Sequence, residues 1–400
     1  MNNKIGLIVL GCLLSSGCVD HVVRTVDMTP PEQMDRPQSE DELLDIGIAI
    51  FDPNVPEGYD EQVKQLIQPD IRRAEANFIP YVAKNLLQST GNWGAVRVIP
   101  RPTHAVDVVI SGKILHSTGE NLVIDIVVQD ATGNRWFTHK YDALSSKYSY
   151  DETIPRNFDT FQAVYTQLAN DLLAYRKELS SEQITIIRRT AEMKFAQEFA
   201  PDAFADHIGV DNAGNFELKR LPADDDPMLA RVRRVREREY LFIDTLDEYY
   251  ESFHREMIGS YQNWRRATYE EAIAYKQLRA QAKARTIVGA AAIIAGIAAM
   301  TESSDPYVGT SGLVSVLSGA LILKSAISKR AEAEIHAEVL QEVGIAAEAE
   351  IMPHTIELEN QTVRLQGTVE EQYQELRGIL RTIYFEDIGL PVPEDQPEPS

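Results

Sequence analysis

After Pro227 the chain runs to residue 300 without another proline, and only Gly259, Gly289 and Gly296 stand in that stretch as weak helix formers. Proline breaks a helix interior because it lacks the N–H and its ring clashes with the preceding turn. A proline-free span of this length is therefore read as one helix, about 110 Å long at ~1.5 Å per residue. Its first half carries an apolar stripe of Phe242, Leu246, Tyr249, Phe253, Met257, Trp264 and Leu278 at helical spacing. Mixed charges fill the other faces, as in Arg231-Val232-Arg233-Arg234-Val235-Arg236-Glu237. The period is that of a coiled coil, but the stripe is aromatic, which predicts packing against the helices of 158–200 rather than a regular zipper.

The second half of the span is apolar and built of small residues, Thr286-Ile287-Val288-Gly289-Ala290-Ala291-Ala292-Ile293-Ile294-Ala295-Gly296 and onward to 300. A polar turn at 301–306 leads to a second uncharged arm, 308–323, and Lys283, Arg285, Lys324, Lys329 and Arg330 flank the outer ends. Small residues four apart let helix backbones approach closely, so Gly289, Gly296, Gly312, Ser315 and Gly319 are the candidate helix-packing residues of a hairpin within 227–345. Each arm spans roughly 22–24 Å, short of a hydrocarbon core of about 30 Å. Insertion into an inner membrane from outside would also invert the positive-inside preference, whereas the outer membrane is thinner. Three placements stay open: a protein core, within or between chains; an outer-membrane hairpin; an inner-membrane hairpin.

Upstream, residues 46–144 read as a small α/β sandwich. An apolar run at 46–51 ends in Asp52-Pro53, a strand with a stop. Ile71, Ala74, Phe78, Val82 and Leu86 mark a helix over 71–88, and strands follow at 95–99, 106–116, 121–129 and 135–141. Gly119 and Gly133 sit in the turns between the last three, where a positive φ is expected. A polar junction at 145–155 separates this unit from a helical region, 156–226, with stripes Phe161, Val164, Leu168, Leu172 and Ile184, Ile187, Ala191, Phe195. Asp224-Asp225-Asp226 in its acidic loop lacks the EF-hand spacing and is read as a solvated loop or helix start. Residues 351–389 are a small ββα tail with helix positions Tyr373, Leu376, Leu380 and Tyr384, and 390–400 an acidic, proline-rich end. The fold class expected is α+β.

The amino terminus has a single Lys4, an apolar run too short to span a bilayer, and small residues before Cys18. Leu14-Ser15-Ser16-Gly17-Cys18 resembles the lipobox of bacterial lipoproteins. That resemblance implies that 1–17 is a signal peptide, that Cys18 is the lipidation site carrying acyl chains, and that the membrane is a partner through it. Val19 rather than Asp follows the cysteine, which in that family implies sorting to the outer membrane with the body in the periplasm. Residues 18–45, polar and proline-bearing, are expected to be a flexible tether. A chain cut before Cys18 keeps that one cysteine, which leaves no disulfide and no thiolate metal site. With 39 basic against 61 acidic residues the net charge is −22, hostile to nucleic acid.

The order of elements in 46–144, with Asp107-Val108-Val109-Ile110-Ser111-Gly112-Lys113 and Asp130-Ala131-Thr132-Gly133, resembles the amino-terminal domain of TolB and the periplasmic domain of the curli-secretion lipoprotein. It implies a partner-binding rather than catalytic unit. The phrase from Glu359 to Val369 resembles the centre of BON domains, envelope modules linked with phospholipid or partner binding. No metalloprotease His-Glu pair, phosphate loop or nucleophile elbow occurs. His104 and Asp107 are one possible pair, and His254 is read as lying on a solvated helix face. Catalytic, cofactor and metal residues are each expected to be none, and no small-molecule substrate is evident. The function expected is that of a non-catalytic scaffold or assembly and transport component at the outer membrane, with a homo-oligomer or other envelope proteins as partners. The alternatives are an oligomeric secretion pore built from the hairpins and, behind it, an envelope hydrolase.

Overall fold

The computed structural model describes residues 26, 28–58, 61–62, 67–151, 153–154, 158–223, 225–299, 355–358 and 361–392, and their side chains except at 271, 272, 274–299 and 355–364. The fold is α+β. β1 (Ile46–Ala49) is buried at all four positions and lies parallel to β2 (Val96–Ile99) on one side and β3 (Val108–Ser117) on the other, with Ile46 opposite both Val96 and Val108. β3, β4 (Asn121–Asp130) and β5 (Arg135–Leu144) form an antiparallel meander, and the sheet order is β2-β1-β3-β4-β5. A parallel strand flanked on both sides has both faces to cover, which accounts for the unbroken apolar run of β1. β4 instead alternates, burying Leu122, Ile124, Ile126 and Val128 on one face.

α1 (Pro69–Thr90) joins β1 to β2. Proline stands at its start, and Gly91 closes it at φ +67°, a left-handed cap that only glycine adopts at no cost. α2 (Gln162–Glu178) and α3 (Ser181–Phe199) follow the sheet, α3 opened by a reciprocal Ser180–Gln183 capping box. A short helix α4 (Pro201–Phe204) and a hairpin, β6 (Ile208–Val210) with β7 (Phe216–Leu218), occupy the stretch expected only to break the helical pattern. There Asp211 accepts from the backbone of Ala213 and Asn215, which turns the chain and lets two short strands pair. Asp226 accepts from the N–H groups of Met228 and Leu229 and so caps the long helix α5 (Pro227–Ala299). β8 (Thr355–Leu358), β9 (Gln361–Arg364) and α6 (Val369–Asp387) complete the described chain. All four residues expected on the buried face of α6 (Tyr373, Leu376, Leu380 and Tyr384) are buried.

The junction at 145–155 does not separate two cores. One apolar cluster takes in β1 to β5, α1, α2, the start of α3, and Phe253, Met257, Tyr261 and Trp264 of α5. A second holds Val98 and Ile99 of β2, the end of α3, Leu229 to Tyr250 of α5, and α6. α5 therefore runs through both and ties them together. Its main partners are α1, α3, β2, α6 and the 3-10 turn at Lys147–Tyr150, so of the two helices in 158–200 that its stripe suggested it packs chiefly on α3. Separate apolar patterns along a sequence do not say which faces meet, and here the faces of sheet and helices meet each other.

Residues 28–45, expected to belong to a flexible tether, form a strap across the body. The Glu32 and Met34 N–H groups donate to Asn170 Oδ1 (2.8 Å) and Asn92 Oδ1 (2.9 Å), and Asn92 donates back to the Glu32 carbonyl. Arg176 reaches Gln38 and the Glu42 carbonyl, and Leu44 is fully buried. A segment whose hydrogen bonds go to side chains of other elements needs no apolar period of its own, which is why the sequence pattern did not reveal it.

Candidate functional site

The charged groups in the core are arranged to fasten α5. Arg265, fully buried, donates through Nη1 to both carboxylate oxygens of Asp159 at 3.0 and 2.9 Å, and Asp159 is itself 3% exposed. Asp159 also accepts from the Phe161 N–H at the start of α2. Arg265 donates through Nη2 to the Tyr261 hydroxyl, which donates to Glu75 of α1, and Glu75 takes a further hydrogen bond from Ser117 of β3 (2.5 Å) and an ion pair from Arg72 (3.3 Å). One chain of polar contacts thus joins α5, α2, α1 and the sheet at residues 261–265. An unpaired charge here would carry a large desolvation cost, so the pairing is what permits it.

Gly119 belongs to the same place. Its φ is not positive, contrary to the turn expectation; a Cβ at Gly119 would lie 1.8 Å from the Arg265 carbonyl oxygen and 2.5 Å from the Tyr269 nitrogen. The glycine is there so that the β3–β4 turn can rest on the backbone of α5, and its N–H donates to Thr268 Oγ1 at 3.2 Å. Gly133, in the next turn, does take the expected positive φ, +87°.

Farther up α5, Glu239 is fully buried and accepts from Tyr373 of α6 (2.6 Å) and from Thr103 (3.1 Å), with Arg377 of α6 at 3.5 Å. Burial lifts its carboxyl above the usual range against the pull of Arg377. Arg377 also pairs with Glu198 of α3, which His104 approaches at 3.3 Å. Burial alone would raise Glu198, but the His104 hydrogen bond and the Arg377 charge outweigh it and bring the carboxyl to about 2. Arg97 of β2 meets Asp244 of α5 with two hydrogen bonds, 2.6 and 3.2 Å, and Lys84 of α1 meets Asp247 at 2.6 Å.

Of the pairs weighed from sequence, His104 turns to Glu198, while Asp107 accepts from the Asp45 N–H (2.9 Å) with Arg236 at 4.0 Å. Its burial pushes the carboxyl up to about 6. His254, expected on a solvated face, is stacked on Phe78 with ring centroids 4.9 Å apart, because that side of α5 lies over α1.

A cleft of about 370 Å³ opens beyond the carboxyl end of β1, lined by Phe51, Ala76, Asn77, Tyr250 and the first turn of α6. The Tyr250 hydroxyl is buried with no hydrogen-bond partner among the described residues. A second cleft, about 200 Å³, lies between β2 and α5 and is walled by the ion-paired Arg97, Asp244, Lys84 and Asp247. Among the described residues no group of three or more His, Cys, Asp or Glu could hold a metal ion.

The residues singled out from sequence fall elsewhere. Cys18, the signal 1–17, the arm 308–323 with Gly312, Ser315 and Gly319, and residues 393–400 lie outside the described residues. Gly289 and Gly296 lie in the helical run of α5, and their surroundings are outside what is described. Among helices whose side chains are described, none is long and apolar enough to cross a membrane. The fastening residues Glu75, Asp159, Glu239, Arg265 and Arg377 were not singled out from sequence. The one signal for Arg265 is its place four residues after Tyr261, beside the apolar stripe at Trp264. No family model matches this chain, and neither a curated protein nor a solved structure does.

Proposed function

We propose that this chain is a non-catalytic, lipid-anchored envelope protein, a scaffold or an assembly and transport component held at the outer membrane through Cys18 with its body in the periplasm. The observation that carries the reading is α5. It is rooted in the core by Arg265 and Asp159 and continues as one helix to Ala299, into the uncharged Ala/Gly segment. A rooted helix transmits position and load between what the body holds and what that segment meets. The charged side chains of the core hold one another and the helix ends, a fastening role rather than a catalytic one.

Cell fractionation tests the anchor: Cys18→Ala should leave the protein out of salt-washed membranes, because acyl chains are the proposed attachment. Retention of the variant would make the apolar segment the anchor and refute the reading. Light scattering tests assembly. Gly296→Leu should lower the oligomer mass while Gly296→Ala leaves it unchanged, since a bulky side chain at a close helix contact costs about 1–3 kcal/mol. Equal behaviour of the two variants would point to lipid rather than to a protein partner.

A further inference from the structure

α1 and α5 run antiparallel, and their contacts form a ruler. Lys84 meets Asp247, Phe78 stacks on His254, Tyr261 donates to Glu75, and Trp264 donates to Gln68. Sixteen residues along α1, with Pro80 inside the stretch, thus match seventeen along α5, the near one-to-one correspondence of two helices lying side by side. The strap crosses at the other end of this ruler, where Met34 and Glu32 bond to Asn92, just beyond the carboxyl end of α1. The strap and the outgoing end of α5 are therefore at opposite ends of the body. Gln68 to Asn92 is about 36 Å at ~1.5 Å per residue, and Trp264 to Thr286 adds about 33 Å in the same direction. The apolar segment begins about 70 Å along the axis from Glu32.

From Cys18 to Glu32 the chain has fourteen residues, which reach at most about 50 Å when fully extended. Suppose that Cys18 carries lipid and that α5 stood upright with Thr286 at the surface of the same bilayer. The tether would then fall short by about 20 Å. To close the gap α5 would have to lean by more than about 40°, beyond the roughly 0–40° range of membrane-crossing helices. We infer that α5 is a stand-off: it holds the segment starting at Thr286 away from the bilayer that carries Cys18 and presents it on the far side of the body. Of the placements open from sequence, insertion into the anchor's own membrane is the one this geometry disfavours. The inference rests on the lipid-anchor reading.

The test supplies the anchor chemically, so that it does not depend on whether cells lipidate Cys18. The chain begun at Cys18 is coupled through that thiol to maleimide-bearing lipid in phosphatidylethanolamine–phosphatidylglycerol vesicles. A fluorophore is placed through an azide-bearing amino acid at position 290, or at position 20 as the membrane-proximal control. Nitroxides on headgroups or acyl chains then quench by contact. The stand-off predicts loss of emission at position 20 with headgroup nitroxide, and no loss at position 290 with either. Quenching at 290 by acyl-chain nitroxide overturns the inference even if Cys18 proves to be the cellular anchor. Conversely, a cell in which Cys18→Ala stays membrane-bound removes the anchor reading while the vesicle result still reports the geometry.

Discussion

Removing the charge of Asp159 alone should be among the most damaging single changes in this protein. Asp159→Asn keeps an oxygen for the Phe161 N–H but takes from Arg265, which is 0% exposed, the carboxylate it is paired with directly. Breaking one partner of a buried ion pair typically costs about 3–5 kcal/mol, because the survivor stays buried and uncompensated. Arg265→Met should cost a similar amount, since it removes the donor to Asp159 together with the Tyr261 contact. The double variant should lose clearly less than the two singles added together, with a coupling of at least about 2 kcal/mol, because neither charge then remains. A domain's whole stability is only about 5–15 kcal/mol, so these losses are large. Urea titrations of the chain begun at residue 19, followed by tryptophan fluorescence and far-ultraviolet circular dichroism, give all four corners of the cycle. Trp93, Trp136 and Trp264 all lie in the cluster that the ion pair adjoins. Single variants that each cost under about 1 kcal/mol, or strictly additive losses, would refute the claim that this pair roots α5.

Three further outcomes follow from other sites. Gly119→Ala should lower the urea midpoint by the equivalent of at least about 1–3 kcal/mol, because its Cβ would meet backbone atoms of α5, which cannot swing aside. Gly133→Ala, with no atom closer than 3.5 Å, should cost only the roughly 1–2 kcal/mol of a left-handed backbone. A loss under about 1 kcal/mol for Gly119→Ala would contradict the stacked turn. Glu198, whose carboxyl is brought down from the ordinary 4.5 to about 2 in the folded protein, contributes stability that is complete above pH 4.5 and lost as pH falls toward 2. Allowing for its 31% exposure, the contribution is about 2 kcal/mol. The advantage of the parent chain over Glu198→Gln in thermal melts should therefore vanish across that window, and an advantage unchanged by acid would count against the Arg377–Glu198 clamp. Tyr250→Phe removes a buried hydroxyl with no partner among the described residues and should leave thermal stability equal or higher; a loss above about 1 kcal/mol would mean that the hydroxyl has a bonded role.

Much of the architecture was legible because it rests on periodicity. The run at 46–51, the helical spacing from Ile71 to Leu86 and the alternation in 121–129 each carry their own structure, and the observed elements begin and end within a few residues of those patterns. Of the stripe, Phe242, Leu246, Phe253, Met257 and Trp264 are buried as the spacing implied, Tyr249 is half-buried, and the side chain of Leu278 lies outside what is described. What could not be read was which faces meet. Glu239 lies beside a run of surface-like charges, and Arg265 next to Arg266, so neither looks different from a solvated neighbour until α6 or α2 covers it. Gly119 resembled an ordinary turn glycine, although its reason is a backbone from 146 residues further along the chain. The strap had no period to find, since Asn92, Asn170 and Arg176 supply its partners. The candidate site was least legible for the same reason: lipidation and small-residue contacts are read from short local strings, whereas the fastening of α5 is made entirely of long-range pairs.

The central structural claim is that sheet and long helix share one core and open together. Native-state hydrogen exchange by mass spectrometry measures this directly. Amides of β3 and β4 and those of α5 between Phe242 and Ala267 should reach the same limiting protection, set by one global opening. Exchange of α5 orders of magnitude faster while the sheet keeps its protection would contradict a shared core, for the helix would then be an appendage and not the element that ties the body together.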